Sequence, residues 1–123
     1  MIRIALVGAG AFGEKHLVGL KNIPDAEVVT VVSASEEESR KLADPHGISD
    51  GSDSYEATLR RDDIDAVILT TPTPMHARQA IQAMDAGKHI EVEIPVADSW
   101  ADAQAVMAKQ RETGLVCMVG HTR

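Results

Sequence analysis

Aromatic side chains are nearly missing from this chain. One Phe, one Tyr and one Trp make up 2% of 123 residues, so the core must be built from Val, Ile, Leu, Ala and Met. That palette suits a parallel sheet covered by helices and excludes an aromatic-rich sandwich. Cysteine is as scarce. The single Cys117 cannot form a disulfide within the chain, and its setting in Leu115-Val116-Cys117-Met118-Val119 reads as buried. Both features fit a reducing, cytoplasmic setting. Positive charge is short too: 12 Lys and Arg face 19 Asp and Glu, for a formal net charge of −7. A global acidic field argues against nucleic acid and against an anionic membrane as partners. No apolar run approaches the ~20 residues of a membrane helix. The first apolar stretch lacks the basic lead of a signal peptide. Any phosphate must therefore be held by local backbone dipoles and a few local cations.

What is present is an alternation of apolar runs and helical patterns. Strands are expected at Ile2–Val7, Glu27–Val32, Ala66–Thr70, His89–Val92 and Leu115–Val119, with a short, less defined one near Ile48–Asp50. Helices are expected from Ala11 to about Lys21, from Ser35 to about Ala43, over Tyr55–Arg60, from Thr73 to Ala86 and over Trp100–Thr113. Ser35 with Glu38 forms a capping box, and Pro45 with Gly47 stops that helix. Thr73-Pro74 reads as a cap followed by a proline at the first helical position; Gly87 and Gly114 read as C-terminal glycines. Asp98 or Ser99 caps the last helix, whose Ala103, Val106 and Met107 share a packing face. Met75, Met84, Met107 and Met118 read as core filler. Six strands with helical crossovers predict an α/β, doubly wound parallel sheet in the order 3-2-1-4-5-6, one domain over residues 1–123. Such sheets bind ligands beyond the carboxyl ends of the strands, where the strand order reverses.

Gly8, Gly10 and Gly13 stand at that place. They form G-x-G-x-x-G directly after the first apolar run, with Ala11 and Phe12 opening the helix between them. A strand feeding a glycine turn aims the first N–H groups of the next helix at one point, which attracts a pyrophosphate. Gly8 permits the tight turn, Gly10 the close approach, and Gly13 the close helix–strand contact. The bland alternative is a structural turn without a ligand.

Further segments stand in a telling order. They are Gly8-Ala9-Gly10-Ala11-Phe12-Gly13 with His16, Thr71-Pro72-Thr73-Pro74-Met75-His76, Ala86-Gly87-Lys88-His89-Ile90, Glu93-Ile94-Pro95 and Val119-Gly120-His121-Thr122-Arg123. Together they resemble the glucose–fructose oxidoreductase / inositol dehydrogenase family over the whole chain. The resemblance implies an NAD(P)-dependent dehydrogenase acting on a small carboxylated or hydroxylated substrate. It also implies a chain about two to three times longer, whose second domain carries much of the substrate site and usually the dimer contact. The expectation is thus a fragment of a homo-oligomeric enzyme that binds cofactor but turns over little. One position departs from the pattern. The family's Glu-Lys-Pro reads Glu93-Ile94-Pro95 here, and Ile94 cannot move a proton, so the lysine is not carried over and the catalytic group is unassigned. Two alternatives stay open: a sugar or cyclitol dehydrogenase of the same family, and a non-catalytic nucleotide-sensing domain.

Ser33 holds the position that selects the cofactor. NAD enzymes tend to place a carboxylate there, whereas Ser33 and Ser35 leave room for a 2′-phosphate; NADP is expected, with NAD the alternative. Arg40 and Lys41 are candidate charges, opposed by Glu36 to Glu38. Ser35 also serves as a helix cap. Thr70, Thr71 and Pro72 after the fourth strand are candidates for the pyrophosphate or the nicotinamide ribose. His76 in the following turn, Glu93 at the end of the fifth strand and Pro95 beyond it line the expected nicotinamide side. Glu91 shares the side of the strand that carries Glu93. His16 is either bonded to a neighbouring backbone group or turned toward the cofactor. Arg123 and His121 are candidates for an anionic substrate. His46 and His89 lack the spacing of a metal centre, and none is expected.

Overall fold

Strands and helices alternate in the computed structural model, which describes residues 1–120. They are β1 (Ile2–Val7), α1 (Ala11–Leu20), β2 (Ala26–Val32), α2 (Glu36–Ala43), β3 (Gly51–Ser52), α3 (Tyr55–Leu59), β4 (Ala66–Leu69), α4 (Thr73–Asp85), β5 (His89–Glu93), α5 (Trp100–Thr113) and β6 (Cys117–Gly120). The sheet order is β3-β2-β1-β4-β5-β6, all pairs parallel. This is the expected doubly wound arrangement. Its order reverses between β1 and β4, which opens a crevice at their carboxyl ends.

Period-two alternation assigns β1 to both layers. Ile4 and Leu6 pack with Leu17 of α1 and Leu42 of α2; Ala5 and Val7 pack with Ala80 and Met84 of α4 and Val106 of α5. A strand covered on both faces reads as an unbroken apolar run, which is how β1 looks in sequence. Ser35, Ser54 and Ser99 cap α2, α3 and α5, each Oγ accepting from an N–H three residues on. The buried Lys88 ammonium donates to Arg61 O and Ile64 O, both at 2.7 Å, and so ties the turn before β4 to the start of β5.

Several expectations need correction. Thr73 is not the cap of α4: it already lies in the first turn, Pro72 precedes it, and no side chain caps this end. β3 lies at Gly51–Ser52, not Ile48–Asp50, because Val31 pairs with Gly51 and Val32 with Ser52. Gly51 allows that approach: an added Cβ would lie 3.2 Å from Ser39 Cβ and from the Arg40 nitrogen. Ile48 packs instead against the α1–α2 layer. Of the four methionines expected in the core only Met84 is there; Met75 is half-buried, and Met107 and Met118 are exposed. On α5 only Val106 is fully buried, while Ala103 is partly covered and Met107 points out. Cys117 is half-buried, since β6 is an edge strand beginning there and not at Leu115, and burial pushes its thiol up.

Arg3 and Asp65 join the starts of β1 and β4. Arg3 Nε donates to Asp65 Oδ2 at 3.1 Å and Nη2 to Oδ1 at 3.2 Å. This pairing lowers the Asp65 carboxyl to about 2, and Arg61 likewise lowers Asp50 and Asp63. Carboxyls lowered on folding stabilise the fold above their unfolded value near 4 and lose that contribution as pH falls through the folded value. The urea midpoint should therefore hold steady from pH 7 to about pH 5 and drop between about pH 4 and pH 2. Asp65→Asn should flatten part of that drop; an unaltered slope would refute the assignment. Exposure keeps each pair's share small.

Candidate functional site

The bend between β1 and α1 is built from backbone contacts that side chains would spoil. Gly8 has φ +109, and its N–H donates to Val32 O at 2.8 Å. Thr70 clamps the bend from β4: its N–H donates to Val7 O at 2.8 Å, and its Oγ1 to Val7 O at 3.0 Å. A Cβ on Gly13 would lie 2.6 Å from Gly8 O, so α1 rests directly on the turn. Gly10 differs. A Cβ there meets nothing within 4 Å, and the residue lines the crevice. The first N–H with an acceptor in α1 is that of Glu14, bonded to Gly10 O at 3.2 Å. The N–H groups ahead of it are the orphan donors of a helix start, and they carry its positive dipole end.

Two cavities meet at Thr70, Thr71 and Pro72. The larger, about 690 Å³, runs along Gly8, Ala9 and Gly10 to Ser33, Ala34 and Glu38 at the β2 end, and to Asp53, Tyr55, Met75 and Gln79. The smaller, about 170 Å³, is lined by Phe12, Thr73, His76, Glu93 and Ile94 at the β5 end. Of the expected site residues, Gly8, Gly10, Phe12, Ser33, Thr70, Thr71, Pro72, His76 and Glu93 are brought together on this crevice. Gly13, Ala11, Ser35 and Pro95 line neither cavity. Gly13 lies under the bend, and Ala11 faces a shallow groove with Glu14, Lys15 and Val18. His121 and Arg123 lie outside the described residues.

At the β2 end the hydroxyls are already engaged. Ser33 Oγ donates to Ser35 O at 3.0 Å and lies 2.8 Å from Ser39 Oγ, which donates to Ser52 O at 2.7 Å. Ser35 Oγ accepts from Glu38 N. Arg40 pairs with Glu36 at 3.1 Å, so one of the two candidate cations is engaged along α2. Glu38 and Asp53 are the charged residues on the larger cavity among the described residues. Sequence patterns placed Glu38 at this end as an opposing charge but missed Asp53, Tyr55, Met75 and Gln79. The last two carry a signal in retrospect: Met75 and Gln79 are four residues apart and share one face of α4.

His76 acts as a brace. It is 1% exposed, with Nδ1 2.9 Å from Pro95 O and Nε2 2.7 Å from Thr71 O. It ties the Thr71 loop to the turn at Pro95, whose peptide bond with Ile94 is cis. Thr71 Oγ1 donates to Gln79 Oε1 at 2.6 Å, and Tyr55 OH to Gln79 O at 2.6 Å, which stiffens the same wall. Among the described residues His16 meets carboxylates and no backbone group. Its Nε2 donates to the Glu93 carboxylate and lies 3.6 Å from Glu91 Oε1. Burial raises the Glu91 carboxyl, with Glu93 adding to the rise and His16 opposing it. The donor atoms of these three groups lie within 4.8 Å of one another. They cluster only because α1 crosses the end of β5, 77 residues later in sequence.

Comparisons with known proteins follow the same outline. The sequence model of an oxidoreductase family with an NAD-binding Rossmann fold matches residues 2–121. The chain is 62% identical over 122 residues to 4-carboxy-2-hydroxymuconate-6-semialdehyde dehydrogenase of Sphingobium sp., covering 99% of this chain and 39% of that protein. It is 35% identical over 123 residues to scyllo-inositol 2-dehydrogenase (NAD(+)) of Bacillus subtilis, covering 99% of this chain and 36% of that one. A crystal structure of a 3-ketoreductase from Actinomadura kijaniata, solved with NADP and TDP-benzene, superposes with a TM-score of 0.90 at 30% identity, over 97% of this chain and 37% of that chain. The chain thus spans well under half the length of these relatives.

Proposed function

The chain belongs to the oxidoreductase family with an NAD-binding Rossmann fold, and from that membership we propose how its crevice takes a nicotinamide dinucleotide. The diphosphate lies on the bend at Gly8, Gly10 and Gly13, against the first N–H groups of α1 at Ala11 and Phe12. The adenosine runs toward Ser33 and Ser35. The nicotinamide ribose passes Thr70, Thr71 and Pro72, and the ring enters the smaller cavity beside His76, Glu93 and the turn at Pro95. The observation that carries this reading is Gly10: a glycine that packing does not require, lining the crevice at a helix start.

For the cofactor we take NADP. No carboxylate ends β2, where Ser33 and Ala34 leave space for a 2′-phosphate. Glu38 favours the alternative, NAD, because its carboxylate can accept from a ribose hydroxyl. Calorimetry separates the two. NADPH should bind more tightly than NADH, and Glu38→Gln should tighten NADPH by roughly three- to tenfold by removing a like charge. Weaker NADH binding in that variant, with NADPH the poorer ligand throughout, would favour NAD.

In a longer protein of this family we propose that the domain serves oxidation of the hemiacetal of 4-carboxy-2-hydroxymuconate semialdehyde to a pyrone dicarboxylate. The bound nicotinamide supplies the hydride acceptor. The residues of this chain orient it: His76 holds the Thr71 loop against the Pro95 turn, while Phe12, Pro72 and Ile94 wall the smaller cavity. A hemiacetal hydroxyl is relatively acidic and its oxidation yields a stable ester, which lessens the need for a lysine where Ile94 stands. A second reading, a sugar or cyclitol dehydrogenase, draws on the inositol dehydrogenase likeness.

A further inference from the structure

His76 faces two acceptors. Nδ1 lies 2.9 Å from Pro95 O and Nε2 2.7 Å from Thr71 O, and a backbone carbonyl only accepts. A neutral imidazole carries one N–H; its other nitrogen is itself an acceptor, whichever tautomer forms. At these distances that second nitrogen sets lone pair against lone pair. Only the imidazolium donates at both ends. The side chain is 1% exposed, so solvent does not supply a donor in place of the missing proton. Among the described residues no other hydrogen bond joins residues 70–75 to residues 94–98. Charged and titratable groups surround the ring at one remove. Glu93 of β5 shares the smaller cavity, with Glu91 and His16 of α1 beyond it. Arg78 of α4, Asp98 before α5 and Asp102 in its first turn are exposed, and Tyr55 of α3 is bonded to Gln79 O. None of them takes either ring nitrogen, since both are held by the carbonyls.

We infer that His76 ties the Thr71 loop to the Pro95 turn at both ends only as an imidazolium, so that protonation of this one side chain sets how firmly the crevice holds a nicotinamide ring; this rests on the ring placement proposed above. Loss of a proton releases one of the two bonds, whichever nitrogen gives it up. The ring then holds a single wall, and Thr71 and Pro72, which line both cavities, are no longer fixed against the turn beside Ile94. Both nitrogens are spent on backbone, so His76 is a positioning residue that acts through Thr71 and Pro95. Cofactor affinity falls as pH rises through the titration of His76. By reciprocity, binding of the dinucleotide draws a proton from solvent wherever the free ring is neutral.

Imidazole ¹H–¹⁵N spectra of this chain, recorded from about pH 5 to about pH 9, read the proton on each ring nitrogen. The expected result is an N–H on both His76 nitrogens at the acid end. Where one is lost, the amide signals of Thr71, Thr73 and Val96 should move at the same midpoint. Affinity for NADP⁺, measured by calorimetry over the same range, should drop by roughly three- to tenfold through that midpoint. In His76→Gln, whose amide does not titrate, that drop should vanish, while the 2′-phosphate and the carboxylates titrate as in the parent. A His76 that keeps one proton throughout, or that loses one while those amides stay still, overturns the inference. So does an affinity that changes with pH alike in parent and folded variant; both results leave the ring placement standing. If His76→Gln does not melt as a folded protein, the spectra of the parent decide. If the parent binds no NADP⁺, the ring placement falls, and the inferred control of affinity falls with it.

Discussion

Gly10→Ala should melt like the parent and lose most of its affinity for a nicotinamide dinucleotide. The added methyl meets no protein atom within 4 Å, and Gly10 has an ordinary backbone conformation with φ −85. Nothing in the fold resists it. Restricting the unfolded chain should even stabilise the domain slightly, by about 0.4–1 kcal/mol. The cost falls on the ligand. A diphosphate reaching the N–H groups at the start of α1 must approach the backbone across Gly10, and a methyl there holds it off. Charge-assisted hydrogen bonds lengthened in this way should lower the affinity about ten- to a hundredfold. Titration with NADPH and a thermal melt of the same sample check both halves. Undiminished affinity would mean that the diphosphate does not lie on this bend.

Gly8→Ala should do the opposite and damage the fold itself. Its φ of +109 is one that side chains rarely adopt, and a Cβ would lie 2.8 Å from the Thr70 carbonyl carbon and oxygen. Backbone strain of this kind costs about 1–3 kcal/mol. The overlap is with backbone, so relief requires β1 and β4 to part, where Thr70 N–H and Oγ1 both bond to Val7 O. A total loss of about 3 kcal/mol or more is expected, a large share of the ~5–15 kcal/mol that holds a domain of this kind together. Urea unfolding of parent and variant measures it. A variant as stable as the parent would show that the bend relaxes freely. Three glycines in one motif thus answer to different requirements: packing demands Gly8 and Gly13, and nothing in the fold demands Gly10.

Much of this was legible in the residues because it rests on local chemistry. Ser35 with Glu38 announces the start of α2, and Gly87 and Gly114 end α4 and α5 with φ 80 and 71. The apolar runs locate every long strand, since a strand buried on both faces has no polar side to show. Expectations failed where burial depends on a neighbour. Met107 and Met118 carry the same chemistry as Met84, yet only Met84 lies between two layers. β3 has almost no side-chain signature; its place follows from where β2 leaves backbone groups to pair. Thr73 looks like a cap in sequence, but Pro72 already occupies the turn before it.

The site divides along the same line. The amino-acid sequence by itself determined the fold class, the strand order and the glycine bend, because periodicity, turn residues and handed crossovers act over a few residues to a few tens. Only the tertiary structure decided what the bend faces. It set Glu38 and Asp53 on the wider cavity, turned both nitrogens of His76 onto carbonyl oxygens, and brought His16 against Glu91 and Glu93. Those neighbours lie as many as 77 residues apart in sequence. Their proximity arises from helices crossing strand ends, which no local pattern encodes.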